Sequence, residues 1–124
     1  MFLEATDRLM MTEAVRPPYA TGGGVVRKLG RRPDAVQCLH EYRDQVECIP
    51  RWGIQVLPVD LGRCLRAADV RAAHGLLTND SIIVATMRDA GVTAIATADR
   101  DFERVEGIEV YRPTDLGVAV PALA

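Results

Sequence analysis

Several features that would assign the chain to common functional classes are missing from its sequence. It has no apolar run of about 18 residues, the length that a membrane-spanning helix needs. Glu4 and Asp7 stand where a secretory signal is cationic, so we expect no signal peptide and a cytoplasmic protein. There is no Walker-type phosphate loop, and neither His40 nor His74 has a convincing serine or cysteine partner. These absences disfavour membrane proteins, P-loop NTPases and covalent hydrolases.

The chain also has few cysteines and a small net charge. The three cysteines are odd in number and lack metal-ligand spacing, so we expect reduced thiols. The formal net charge of −2 does not indicate a nucleic-acid partner by itself. The length of 124 residues predicts one domain, residues 1–124, with residues 113–124 as a C-terminal tail.

Hydrophobic periodicity predicts helices that alternate with short strands. Helical spacing covers residues 2–15, a stretch from Pro33 through Ile49, a stretch capped by Asp60, and residues 78–90. The predicted strands are 54–59, 92–97 and 108–111, with a helical turn after the second. Strand 92–97 is apolar on both faces and is expected to be covered on both. The helix after Asp60 is expected to turn inward Leu61, Cys64 or Leu65, Ala68 and Ala72. This alternation predicts an α/β fold with a parallel sheet.

Aspartates interrupt the apolar C-terminal half of the chain and require an explanation. Asp80 lies in the first turn of helix 78–90, and Asp99 follows strand 92–97. A helix that precedes a parallel strand runs antiparallel to it, so the helix start and the strand end share one sheet edge, where ligands bind. Asp80 and Asp99 are therefore expected to converge. A purely structural interpretation competes, because the helix dipole favours Asp80 and Asp99 can cap the following turn.

A third acid, Glu13, lies beside the apolar stripe of the first predicted helix and is also expected to face inward. Carboxylates brought together repel one another unless a proton or a cation is present. Mg²⁺ and Mn²⁺ are hard ions that prefer oxygen ligands, activate water and stabilise charge on phosphate. We therefore predict a site for Mg²⁺ or Mn²⁺ with the ligands Glu13, Asp80 and Asp99.

A basic group follows the first predicted helix and has two interpretations. It is either a solvated face or a contact surface for RNA phosphates. Its members are Arg27, Lys28, Arg31 and Arg32.

The segment "GLLTNDSIIVATMRDAGVTAIATADRDFERVEGIEVYRP", residues 75–113, resembles the C-terminal half of a PIN domain, especially the forms related to VapC toxins. The shared pattern is an acid at a helix start, an "IxxAT" helix, a glycine, an apolar strand and then "T-x-D-x-D-F". The resemblance implies a three-layer α/β/α fold and a metal-dependent endoribonuclease. By position, Asp80 and Asp99 match the third and fourth acids of the family. Asp101 matches the accessory catalytic acid and Glu13 the helix-borne second acid.

The first half of the chain departs from the family pattern. The family begins with a strand that carries its first aspartate, whereas the residues before Glu13 predict a helix. The resemblance thus implies an N-terminally shortened domain, a fragment or a mis-started reading frame. The missing strand predicts a homodimer, with a smaller sheet that closes the gap as the alternative. RNA and an antitoxin protein are the implied partners. Two alternatives stay open: a catalytically impaired PIN-like domain that binds RNA or protein, and a small Mg²⁺-dependent phosphatase-like or receiver-like protein.

Overall fold

The computed structural model describes residues 1–16 and 23–114. They fall into two compact units, the first comprising Met1–Val56 and the second beginning at Leu57. Within the described ranges, no helix combines the length and the apolar character needed to cross a membrane. The assignment of residues 1–124 to one domain stays a prediction.

The first unit is helical. Its elements are α1 (Phe2–Ala14), α2 (Val25–Gly30), α3 (Pro33–Cys38) and α4 (Glu41–Arg51). A small core joins them through the buried residues Ala14, Leu29, Ala35 and Leu39. Helix α1 confirms the prediction over residues 2–15, while its predicted stop at Pro17 and Pro18 lies outside the described residues.

The prediction of one helix from Pro33 through Ile49 is wrong, because the chain breaks it into α3 and α4. Leu39 has an extended backbone, with φ −72° and ψ 129°, and its side chain is still buried. The break frees the first N–H groups of α4, which have no partner within their own helix. They bond instead to the carboxylate of Glu13, so a tertiary contact replaces part of the predicted helix.

The second unit combines two helices with a short sheet. Its elements are α5 (Leu61–His74), α6 (Thr78–Asp89), β1 (Ala94–Ala96), a 3₁₀ turn (Arg100–Arg104) and β2 (Glu109–Tyr111). The strands are parallel, with Ile95 opposite Val110. The predicted α/β class with a short parallel sheet is confirmed. Gly91 has φ 66° and reverses the chain between α6 and β1, which is the expected stop signal.

The core of the second unit holds α5, α6 and the 3₁₀ turn together. Its buried residues are Ala67, Val70, Leu76, Val84, Ala85, Phe102 and Val105. Each large aliphatic or aromatic side chain removed from water contributes about 1.5–3 kcal/mol. The Asp60 carboxylate caps α5 as predicted, accepting a hydrogen bond from the backbone N–H of Arg63 at 2.7 Å.

The predicted inward face of α5 is wrong. Leu61 and Leu65 are 75% and 64% exposed, and Ala67 and Val70 are buried in their place. The reason is tertiary: Arg63 and Arg66 both bond the carboxylate of Asp89 on α6, at 3.0 Å and 2.6 Å. The same face of α5 carries Ala67 and Val70, which pack in one core with Val84 and Ala85 of α6.

Two strand predictions also fail. Residues 54–59 form no strand, because a strand needs a neighbour for its backbone groups and Pro58 has no N–H to offer. Strand 92–97 is shorter than predicted, and it is not covered on both faces, since Ala94 and Ala96 are exposed. In the described part of the chain its sheet has two strands, so β1 has a single neighbour.

Candidate metal centre

Pairing between the two strands positions Asp99. The backbone N–H of Thr97 donates to the carbonyl of Tyr111 at 3.0 Å, which extends the parallel ladder by one residue beyond β1. The hydroxyl of Thr97 then accepts a hydrogen bond from the N–H of Asp99 at 3.1 Å. The carboxylate therefore stands just beyond the carboxyl end of a strand, where α/β proteins place their ligand groups.

The 3₁₀ turn presents Asp101 beside Asp99. The Asp99 carboxylate caps this turn by accepting a hydrogen bond from the backbone N–H of Asp101 at 2.9 Å. Phe102 is only 3% exposed and anchors the turn in the core of the second unit. An apolar side chain directly after the acid thus fixes the backbone from which the acid projects.

Asp80 projects from the first turn of α6. The neighbouring Ser81 is fully buried, donates its hydroxyl to the carbonyl of Thr78 at 2.7 Å, and accepts a hydrogen bond from Arg71 at 3.0 Å. These contacts hold the turn that carries Asp80. The carboxylate also lies at the positive end of the helix dipole, which favours negative charge there.

The structure brings Asp80, Asp99 and Asp101 together. One carboxylate oxygen from each lies within 4.8 Å of the other two. Oxygen ligands on opposite sides of a Mg²⁺ ion are about 4 Å apart, so this donor set fits a hard divalent cation in both chemistry and spacing. Without a cation, three carboxylates this close repel one another.

Arg104 is a site residue that sequence reasoning missed. Its guanidinium lies 2.6 Å from Asp101 Oδ1, and Nη1 lies 3.4 Å from the carbonyl oxygen of Gly75. The three-residue spacing of Asp101 and Arg104 was the available signal, because residues three apart are neighbours in a helical turn.

Glu13 lies in the first unit, where its 5% exposed side chain has a structural role. Oε1 accepts a hydrogen bond from the backbone N–H of His40 and Oε2 from that of Tyr42, both at 2.9 Å. Burial alone would raise the pKa of this carboxyl, but the backbone donors of His40, Tyr42 and Glu41 hold the pKa below its usual range. Its role as a metal ligand stays a prediction.

The predicted basic group is exposed on the first unit. Arg27 and Lys28 belong to α2, Arg31 ends that helix, and Arg32 precedes α3. Arg32 pairs with Asp34 at 3.1 Å. In sequence the four residues flank Leu29, which is buried, while they are exposed. Contact of this group with RNA stays a prediction.

Comparison with known proteins gives a family for most of this chain. The family model described as PIN domain matches residues 25–108, a range that includes the three clustered aspartates and begins after Glu13. Ribonuclease VapC6 of Methanocaldococcus jannaschii is 41% identical over 46 residues, which cover 37% of this chain. The chain spans 30% of the length of that curated relative. No solved structure matches.

The capping role of Glu13 predicts a stability loss that is independent of metal. In Glu13→Gln one acceptor oxygen becomes an NH₂ group that faces a backbone N–H. We expect the free energy of unfolding to fall by about 1.5–3 kcal/mol, the range for hydrogen bonds to charged groups. Urea unfolding followed by circular dichroism, in the presence of EDTA at neutral pH, measures the loss.

The lowered pKa of Glu13 also predicts how its contribution to stability changes with pH. Because the folded-state pKa of Glu13 lies below its ordinary value of 4.5, its stabilisation is present above that value and is lost as the pH falls through the folded pKa. The gap between wild type and Glu13→Gln should therefore shrink in acid. Glu4→Gln, at an exposed pair with Arg8 on the same helix, is the control and should change stability by less than about 0.5 kcal/mol. Equal stability of Glu13→Gln and wild type at neutral pH contradicts the capping role.

Proposed function

This chain belongs to the PIN domain family, and from that membership we propose that it is a VapC-like endoribonuclease that hydrolyses RNA phosphodiesters with Mg²⁺ or Mn²⁺. The observation that carries the proposal is the convergence of Asp80, Asp99 and Asp101 inside the matched segment. The relative named as a ribonuclease supports the same reaction. Family membership also replaces the phosphatase-like or receiver-like alternative.

In the proposed reaction, Asp80 and Asp99 would hold the ion, and Asp101 would contact it through one carboxylate oxygen and orient the attacking water through the other. When bound, a divalent ion lowers the pKa of water and neutralises charge on phosphate oxygens. Water would attack the phosphorus in line and lose a proton to Asp101, and the bond from phosphorus to the ribose oxygen would break as that oxygen takes up a proton from solvent. Glu13 is the proposed further acid, acting through the lone pairs that its two backbone hydrogen bonds leave on each oxygen.

The proposed partners follow from the family and from exposed surfaces. RNA phosphates would contact Arg27, Lys28, Arg31 and Arg32 in the first unit, and an antitoxin protein would pair with the chain in the cytoplasm as part of a toxin–antitoxin system. The exposed side chains of Leu61, Leu65 and Leu77 support a homodimer, since oligomers commonly bury such apolar groups.

The second candidate function is a PIN-like domain that binds RNA or protein without cleaving it. One observation favours it: both oxygens of Glu13 already accept backbone hydrogen bonds. If Glu13 serves only the fold, the site has three acids in place of the four that the family pattern implies. Cleavage by the purified chain distinguishes the two functions.

Replacing a clustered acid should abolish metal-dependent cleavage. Loss of a group that merely supports a metal ligand costs 10–100-fold, so Asp80→Asn and Asp99→Asn should each reduce the rate by at least about 100-fold. In EDTA, Asp80→Asn should be as stable as wild type or more stable, because it removes carboxylate repulsion. Cleavage of labelled single-stranded RNA with Mn²⁺, and thermal melting with and without Mn²⁺, measure both effects.

Asp89→Asn is the matched control, since Asp89 lies at the opposite end of α6 and bonds Arg63 and Arg66. It should lower stability and leave the Mn²⁺-induced rise in melting temperature intact. Undiminished cleavage by Asp80→Asn and Asp99→Asn contradicts the proposed chemistry. Absence of cleavage by wild type, together with retained RNA binding, supports the non-cleaving alternative.

The homodimer proposal predicts twice the chain mass in solution. We expect sedimentation of wild type across a dilution series to give a dimer, and Leu65→Glu to give a monomer because it places charge on the apolar surface. Leu3→Glu, at an 82% exposed leucine of the first unit, should leave the dimer unchanged. A monomeric wild type at every concentration overturns the proposal.

A further inference from the structure

We propose that Arg104 is a metal-dependent phosphate contact. Without a divalent ion its guanidinium is the counter-ion of Asp101, and with the ion bound it turns to a phosphate of the RNA. This inference rests on the proposed function and adds a substrate-binding residue to it.

The contact between Arg104 and Asp101 is suited to exchange. The guanidinium lies 2.6 Å from Asp101 Oδ1, yet the two side chains are 49% and 46% exposed. An ion pair this open to water is weak, because solvent screens it and both side chains lose rotamer freedom to form it. A divalent ion carries twice the charge of the guanidinium and competes for the same carboxylate.

The backbone under Arg104 is fixed, so exchange requires only a side-chain rotation. Phe102 and Val105 flank the residue, and each is 3% exposed in the core of the second unit. The guanidinium also faces the carbonyl of Gly75 at the end of α5, where the helix dipole favours a cation. Release of Asp101 therefore needs a rotation of the Arg104 side chain and no movement of its backbone.

The released guanidinium would stand beside the carboxylates that hold the ion. Arginine binds phosphate through paired N–H donors in a planar fork, and Nη2 becomes available for this when Asp101 turns to the ion. The metal therefore adds a phosphate contact at the rim of the site, and RNA affinity becomes coupled to metal occupancy.

Arg112 provides a matched control in the same unit. Its Nε and Nη2 bond Oε1 of Glu103 at 3.0 Å and 2.5 Å, and its Nη1 faces the carbonyl of Ala98. These contacts lie outside the three clustered aspartates, so removing the charge of Arg112 changes the net charge of the unit without removing the competitor of the metal.

The experiment measures Mn²⁺ binding by calorimetry and the binding of a labelled single-stranded oligouridine by fluorescence anisotropy, in EDTA and in Mn²⁺, with RNA integrity checked on gels. Arg104→Gln should bind Mn²⁺ about two- to fivefold more tightly than wild type, the factor that an exposed ion pair supplies. Its RNA affinity should equal that of wild type in EDTA. In Mn²⁺ the RNA affinity of Arg104→Gln should be several-fold weaker than that of wild type. The slope of log affinity against log salt concentration should be smaller in magnitude by about 0.7, the value of one phosphate contact on a single strand.

Arg112→Gln should match wild type in Mn²⁺ affinity and should show the same gain in RNA affinity as wild type when Mn²⁺ is added. Arg104→Lys, which keeps the charge, should recover part of the metal-dependent RNA binding and shows that the effect is not a loss of folding. An equal loss of RNA affinity in EDTA and in Mn²⁺, or an unchanged Mn²⁺ affinity of Arg104→Gln, overturns the role of Arg104 while leaving the proposed function intact. A wild type that binds no Mn²⁺ overturns both.

Discussion

Repulsion among the carboxylates of Asp80, Asp99 and Asp101 is the constraint that the second unit has to withstand. Oxygens within 4.8 Å of one another carry a free-energy cost that the surrounding structure must offset. Burial of Phe102, Val105 and Val84 anchors the backbone on both sides of the cluster. The strand pairing at Thr97 positions Asp99, and the hydrogen bond of the buried Ser81 hydroxyl holds the helical turn that carries Asp80. The second unit therefore holds a charge arrangement that is unfavourable until a cation or a paired guanidinium compensates it.

Glu13 shows how the same chemical group takes a different role in another environment. Its two oxygens receive backbone N–H groups from the start of α4, which stabilises the charged form and joins α1 to that helix. Asp99 uses one oxygen in a similar way to cap its turn, yet it remains exposed. A carboxylate that is exposed beside others can bind an ion, whereas one that is buried among N–H donors primarily stabilises the fold.

Local sequence patterns correctly predicted the helices, caps and strand ends that depend on interactions between neighbouring residues. The helices 2–15 and 78–90, the cap at Asp60, the stop at Gly91 and the strand at 108–111 depend on neighbouring residues, so periodicity and capping chemistry located them. The predictions failed where a contact with a residue far along the chain determines the local structure. Leu39 breaks a helix because Glu13 receives the freed N–H groups. Helix α5 exposes Leu61 and Leu65 because Ala67 and Val70 pack in one core with residues of α6.

The sequence by itself determined the α/β class, the family pattern of residues 75–113 and the expectation that Asp80 and Asp99 converge. The convergence of the two acids needed only chain direction, because a helix start and the end of the following strand share one edge of a sheet. The tertiary structure alone decided that Arg104 pairs with Asp101 and that both oxygens of Glu13 bind backbone N–H groups. Such contacts depend on rotamers and on distances between separate elements, which residue spacing along one chain does not specify.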